Sequence, residues 1–433
     1  MKKFASYLIP SLVATVLMSM YAMIDGIFIG QKIGDAGLAA INIIWPITAL
    51  LQSIGSALGL AGGVIIQKKM ANEEEKEASQ IKLTVLLIGI ALAIVFGLIF
   101  YFLRVPLLYA LGTTDASFSY AMAYLKMILT GAIFQILGMM LIPLLKNSGK
   151  VKLAALASLT SMATNLILDY VMIYVLNMEL MGAALASVLA QVASAMVCFF
   201  AYFKELKGVS FKKEVLLDIF KTSLAPFILA YSYSIVILIT NIACTHFGGD
   251  EAVAAYTLLS YIAYILMAVS CAVGDSIQPL FSFQEAKHEY SKNRRMLKLC
   301  MTISFSVILI FDILLIILRR QLGYLYNLSD TAYSYYVAGL YYYLAGGIMI
   351  SILKVISSYL YAIDSKLFAN ILVLLEPFVV VPIVLAIFGV SLELTGIWIS
   401  YLVGQAILLG VACLLLYLQE KKHFKTQLVI QTR

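Results

Sequence analysis

The stretch YLIPSLVATVLMSMYAMIDGIFIG, residues 7–30, decides the reading of the whole chain. As a helix it is long enough to cross about 30 Å of hydrocarbon. Asp25 is its one charged side chain. A carboxylate inside a spanning segment is costly, so its default reading is an ion, proton or substrate site. The alternative is an acid at a helix end that simply reaches water. The rest of the chain repeats the apolar character of this segment. The hydrophobic fraction is 63%, mean hydropathy is +0.98, and only 12% of residues are charged. That is far above the roughly half-apolar composition of soluble domains.

Short polar turns divide the chain into twelve segments, approximately 7–30, 40–66, 81–103, 119–145, 152–176, 181–203, 222–246, 252–280, 298–318, 333–356, 367–388 and 395–418. Their lengths suit tilted helices, not the strands of about ten residues found in membrane barrels. Charge supports this count. With an inside N-terminus, the inner segments hold 25 of the 30 Lys and Arg residues. The outer segments hold Lys32, Arg104, Arg319 and Arg320, and Lys126 lies inside a helix. Such a bias predicts a multi-pass protein of the plasma (inner) membrane with both termini in the cytoplasm. It also turns the net charge of +7 away from nucleic acid and toward topology. Lys2 and Lys3 precede a full-length apolar run, so no cleavable signal is expected. The five cysteines show neither metal spacing nor a disulfide framework, and the three histidines are isolated.

The two halves of the chain resemble each other. Pro10 is matched by Pro226, and IGDAGLAA at 33–40 by GGDEAVAA at 248–255. Gly59 matches Gly274, Gly182 matches Gly396, and Gln191 matches Gln405. The offsets drift only between 214 and 216 residues. Six helices per half is an even number, so the halves enter the membrane alike. The expected fold is an all-α integral membrane protein with two six-helix lobes, related by a pseudo-two-fold axis along the membrane normal. The expected lobes are 1–203 and 222–418, joined by the basic stretch 204–221 and followed by a tail, 419–433. Repeat-built transporters place a substrate path between the repeats. No paired-His or acidic metal motif suggests an enzyme. A selectivity filter, an Arg-rich voltage sensor and a phosphate loop are also missing.

A depth calculation gathers the scattered polar residues. At about 1.5 Å per residue, Asp25 lies about 27 Å from the inner end of the first helix. Asn165 and Asp169 lie about 20 and 25 Å along the outward-running fifth helix. They are four residues apart and so share a face. Ser187 lies about 9 Å into the sixth helix from its outer start. Two carboxylates, an amide oxygen and a hydroxyl form a hard-oxygen set suited to a small hard cation. In the second half the membrane acids are Asp275, Asp312 and Glu376. Each is a candidate second site, or a water-facing or helix-cap acid. The position matching Asp25 is Asn241 or Thr240. Met18, Met20, Tyr21, Met23, Tyr231, Tyr233, Tyr341, Tyr342 and Tyr343 are mostly packing or interfacial residues. Some of them would suit lipophilic, cationic ligands.

These residues also carry a resemblance. YAMIDGIFIGQKIGDAGLAAINIIWPI (21–47) resembles the helix 1–2 signature of the multidrug and toxic compound extrusion (MATE) family. LLKNSGK (144–150) resembles its inner turn, with Lys146 where Arg is frequent. NLILDYVMIYVLNMELMGAALASVLAQ (165–191) resembles its helix 5–6 signature. GDSIQPLFSFQEAK (274–287) resembles the helix 8 end of the bacterial multidrug branch. The resemblance implies drug efflux driven by H⁺ or Na⁺, with a cation site in the first lobe at Asp25, Asn165, Asp169 and Ser187. Ala183 matches a position offering a backbone carbonyl, and Pro10 a helix 1 proline that permits bending. Another branch uses a Glu in helix 7 and an Asp in helix 10; this chain has neither, which favours the first-lobe mechanism.

The expected protein is therefore a cation-coupled antiporter of small amphipathic or cationic compounds. It has no enzyme activity and no cofactor beyond its coupling ion, and it works as a monomer in the lipid bilayer without nucleic acid. The alternatives are a flippase for lipid-linked precursors and a membrane scaffold. The topology is testable by cysteine labelling in intact cells. An impermeant reagent should reach cysteines placed in 104–118 and 319–331, and not in 67–80 or 204–221. Labelling at residue 210 from outside would overturn the topology.

Overall fold

With no water to bond exposed backbone groups in hydrocarbon, a chain this apolar must close its hydrogen bonds within helices. The computed structural model describes Leu12, Thr15, Val16, residues 23–203, Leu206 and residues 210–431, and every regular element among them is helical. Pro10 lies outside the described residues.

Helix α1 is described over 23–33. It is followed by α2 (Asp35–Ala71) and α3 (Glu75–Ala110). Helix α4 consists of Asp115–Thr130 and Ala132–Asn147, bent by 59°. Helix α5 (Val151–Asp169) continues as a π-helical turn, Tyr170–Val175, and α6 is Glu179–Phe203. The run Leu216–Ala286 breaks at Gly249, giving α7 (216–248) and α8 (250–286). Then come α9 (Tyr290–Leu325) and α10 (Asp330–Ala362). Helix α11 begins at Lys366–Leu375, passes through a second π turn, Glu376–Val380, and runs to residue 392. Helix α12 covers 394–431, beyond a break at Glu393. Among the described residues, eight helices are long and apolar enough to span, and the bent α4 makes nine. Two of the eight are double helices broken at Gly249 and Glu393. With those separated, eleven of the twelve expected spans are present among the described residues, and α1 covers the outer end of the other.

The repeat is written into the turns. Positive φ recurs at Gly34 and Gly249, Glu73 and His288, Gly112 and Asn327, and Gly149 and Asp364, each pair 215 residues apart. Glu179 and Glu393 make a fifth pair, 214 apart. Caps recur too. Thr114 accepts from the Ser117 amide at the start of α4, and Ser329 accepts from the Ala332 amide at the start of α10. A left-handed residue is unfavourable for most side chains. Five such pairs would not fall at one spacing unless the backbone path itself were duplicated.

The chain divides into two compact units, residues 24–254, and residues 255–433 with Met1–Met23. These boundaries differ from the 204–221 joint of the repeat, and buried polar pairs explain why. Helix α7 packs with the first-half helices. Asn42 Nδ2 donates to Asn241 Oδ1 at 3.0 Å, and Asn241 Nδ2 donates to the Asn42 carbonyl at 2.8 Å. Asp250, just past the break, accepts from Thr114 Oγ1 at 2.5 Å and from Ser117 Oγ at 3.0 Å. Lys212, in the joint, contacts Glu77 at 2.8 Å, and Lys69 reaches the same carboxylate at 2.9 Å. Hydrogen bonds from these two cations hold the Glu77 carboxyl down to about 2.

Close backbone approach organises the first unit. A Cβ at Gly55 or Gly59 of α2 would collide with the carbonyl oxygens of Ile136 and Met140 in α4. Two glycines four apart let helices touch backbone to backbone, the usual device where water cannot drive association. In the second unit, Phe281, Leu353, Ile356, Tyr359, Leu372, Val384 and Leu408 form a continuous core. The Phe281 and Tyr359 rings meet edge to face at 5.0 Å. Gly59→Leu should therefore lower thermal stability in detergent, by about 1–3 kcal/mol or more. Gly410→Leu, where an added Cβ meets nothing within 4 Å, should leave stability near wild type. Equal melting curves for the two variants would contradict this packing.

Candidate functional site

The acids of the first half converge. Asn165 and Asp169 occupy the last two turns of α5 before its π turn, and both are fully buried. Asp25 stands in α1, and its carboxyl lies within hydrogen-bond reach of the Asp169 carboxyl. Neither acid brings a donor when ionised. Asp25 Oδ1 and both Asp169 oxygens are buried without a hydrogen-bond partner. Two bare carboxylates pressed together away from water repel each other and lose hydration. The arrangement is satisfied when a proton or a small cation lies between them, so the oxygens present fit such a ligand.

The neutral members of the expected set lie alongside. Asn165 Nδ2 donates to Ser187 Oγ at 3.5 Å, linking α5 to α6. Ala183 is buried one turn before Ser187 on α6. The helix pair is set by the tight turn between them. Asn177 and Glu179 both adopt positive φ, and a Cβ on Gly182 would touch the Met172 and Met178 side chains.

Two contacts from α1, made by Phe28 and Lys32, fasten it to the π turn and the loop that follows α5. The Phe28 and Tyr174 rings meet edge to face at 5.5 Å, and Tyr174 stacks on Tyr170 at 5.8 Å. Lys32 Nζ donates to Asn177 Oδ1 at 2.6 Å. Phe28 and Lys32 are three and seven residues beyond Asp25, so helical spacing puts them on its side of α1. Tyr174 is five residues beyond Asp169. Only the π turn brings that spacing into register, and no motif in the sequence marks the turn.

The second-half acids differ from one another. Asp275 is exposed and accepts from Gln278 Nε2 and Ser358 Oγ, each at 2.7 Å. Glu376 accepts from Gln405 Nε2 at 2.8 Å and lies 3.9 Å from Lys354 Nζ. Asp312 is buried on α9. Among the described residues no group of three His, Cys, Asp or Glu side chains is placed to hold a metal ion. A cation at Asp25 and Asp169 would depend on the two carboxylates and on neutral oxygens.

A twelve-helix membrane protein built from two copies of one six-helix path, with paired acids in the first copy, has the build of a membrane transporter. The MatE family model matches the chain twice, over residues 10–171 and 226–387, and the chain belongs to that family. It is 23% identical over 428 residues to the multidrug export protein MepA of Staphylococcus saprophyticus, covering 95% of this chain and 92% of that protein. Against MepA of Staphylococcus aureus strain MRSA252 it is 23% identical over 429 residues, covering 96% and 93%. Among solved structures, an inward-facing multidrug resistance MATE transporter of the MOP superfamily superposes with a TM-score of 0.85, at 18% identity over 96% of this chain and 99% of that one. The outward-facing counterpart gives 0.69 at 20% identity, over 98% and 97%. The MATE multidrug transporter DinF-BH gives 0.72 at 23% identity, over 98% and 96%.

Proposed function

We propose that this protein exports small amphipathic or cationic compounds in exchange for H⁺ or Na⁺, with the ion taken up at Asp25 and Asp169. The observation that carries the reading is the approach of the Asp25 and Asp169 carboxyls, in which Asp25 Oδ1 and both Asp169 oxygens are buried without a donor. A fold with no such need for positive charge would have no internal reason to couple to a gradient. The multidrug export named for the MepA relatives supports the substrate class. The inward bias of Lys and Arg supports cytoplasmic termini.

Mechanistically, Asp25 and Asp169 hold the positive charge, while Asn165 and Ser187 supply neutral oxygens beside it. Charge neutralisation removes the repulsion between α1 and α5 and favours closer packing of α1. Phe28, Tyr174, Lys32 and Asn177 guide how α1 seats against the π turn. Pro10, expected from the sequence to lie in the first span, is the proposed point of give, since proline in a helix interior removes one backbone hydrogen bond. An ion shifts a conformational equilibrium only through different affinities for the two states. Substrate and ion therefore oppose each other, and linkage makes the opposition reciprocal. Alternating access follows when each ligand stabilises a different state.

Purified protein in vesicles, loaded with a fluorescent lipophilic cation, tests the proposal with H⁺ and Na⁺ gradients imposed separately. Asp25→Asn and Asp169→Asn should each abolish gradient-driven efflux while inserting normally, since the amide is near-isosteric and uncharged. Asn165→Ala and Ser187→Ala should reduce coupling less, each removing one neutral oxygen. Full gradient-driven efflux by Asp25→Asn would refute the proposal.

A further inference from the structure

The three second-half acids separate by whether anything answers them. Asp275 and Glu376 are each engaged by two side chains. Asp312 is 4% exposed, and both of its carboxyl oxygens are buried without a hydrogen-bond partner. It stands 22 residues into α9 and 13 from its end, about 33 and 20 Å from the two termini of the helix. Neither end brings it water.

Its orientation is fixed by the face it shares. Cys300, Ser304, Ile308 and Asp312 follow one another at four-residue spacing, and all are buried. Ile310, Ile313, Leu314 and Ile317, on the other sides of α9, are exposed. Asp312 thus points into the helix packing and away from lipid. A second orphan lies near it. The Tyr401 hydroxyl of α12 is buried without a partner and within electrostatic reach of Asp312. The Tyr401 ring is held flat against Tyr343 of α10, with centroids 4.0 Å apart and planes at 3°. Left ionised, the Asp312 carboxylate would carry a desolvation cost that no partner offsets.

We propose that Asp312 is a second proton-binding carboxyl, in the second repeat, with Tyr401 as a polar group within electrostatic reach. A proton from water forms an O–H bond on one carboxyl oxygen, the site passes from −1 to neutral, and release reverses the step. Tyr401 keeps its own proton throughout. A proton fits better than a metal ion, because Glu376 is already engaged and no three-ligand group forms among the described residues. Tyr401 on α12 lies within electrostatic reach of Asp312, and also of Glu376 on α11 and Tyr256 on α8. Arg319 is seven residues along the same helix, about 10 Å away, and its Nη1 donates to the Ile316 carbonyl. This site is separate from the pair at Asp25 and Asp169, and its test stands apart from theirs.

Dicyclohexylcarbodiimide reads it directly. The reagent adds to an un-ionised carboxyl: the acid proton passes to a nitrogen, a carboxyl oxygen bonds the central carbon, and rearrangement leaves a stable N-acylurea. Wild-type protein in vesicles would be treated across a range of pH, digested, and each acid followed by mass spectrometry. This resolves Asp312 from Asp25 and Asp169 without any mutation. The expected result is an adduct on Asp312 that falls about tenfold per pH unit above a midpoint. Tyr401→Phe should move that midpoint upward, because the ionised form loses a polar hydroxyl within electrostatic reach. Absence of the adduct at every pH, while Asp25 or Asp169 is labelled in the same sample, would overturn the proposal. So would an adduct whose yield ignores pH. An unmoved midpoint in Tyr401→Phe would remove Tyr401 from it.

Discussion

In hydrocarbon, a polar group without a partner has no water to turn to. That constraint shapes every level of this protein. It forces the backbone into helices, which satisfy their own hydrogen bonds. It confines helix-to-helix contact to van der Waals fit and a few polar clasps, as at Gly55 and Gly59 or between Asn42 and Asn241. It also makes exceptions conspicuous. Asp25 and Asp169 meet with no donor between them, in a unit where Asn42, Asn241 and Asp250 are all answered by partners.

The duplicated backbone gives those exceptions their meaning. Five pairs of left-handed turn residues at a near-constant spacing show one six-helix path used twice. The side chains hung on the two copies have diverged. The first copy holds a carboxylate pair across α1 and α5. The second holds Asn241 or Thr240 at the place of Asp25, and Asn241 serves as a packing clasp with Asn42. A shared scaffold with unlike polar groups is what a two-state transporter needs, since a ligand must distinguish one state from the other to shift them.

Much of this is legible in the sequence, for physical reasons. Spans are visible because each must cross a fixed thickness, and the Lys and Arg bias supports their number. The repeat is visible because turn residues such as Gly34 and Gly249 obey backbone sterics. Asn165 and Asp169 can be paired from spacing alone, and depth brings Asp25 to them. Other features leave no such trace. The π turns at Tyr170–Val175 and Glu376–Val380 shift side chains by one position without any characteristic residue. Tyr174 could not be placed beside Phe28 without the first of them. The boundary of the compact units near 254 follows from tertiary packing of α7, not from local composition. Asp275, Asp312 and Glu376 look equivalent in sequence. Only their neighbours reveal that two are engaged and one is not.

The account rests on positive charge being held between Asp25 and Asp169 and given up when substrate binds. Ion release on substrate binding measures this without a gradient or a membrane. Purified protein in a weakly buffered solution would be titrated with a fluorescent lipophilic cation, with binding followed by polarisation and H⁺ and Na⁺ by indicator and electrode. The account predicts release of one of the two ions from wild-type protein in step with binding, and its loss in Asp25→Asn and Asp169→Asn. Saturable binding with no release of either ion, or equal release from the Asn variants, would contradict it.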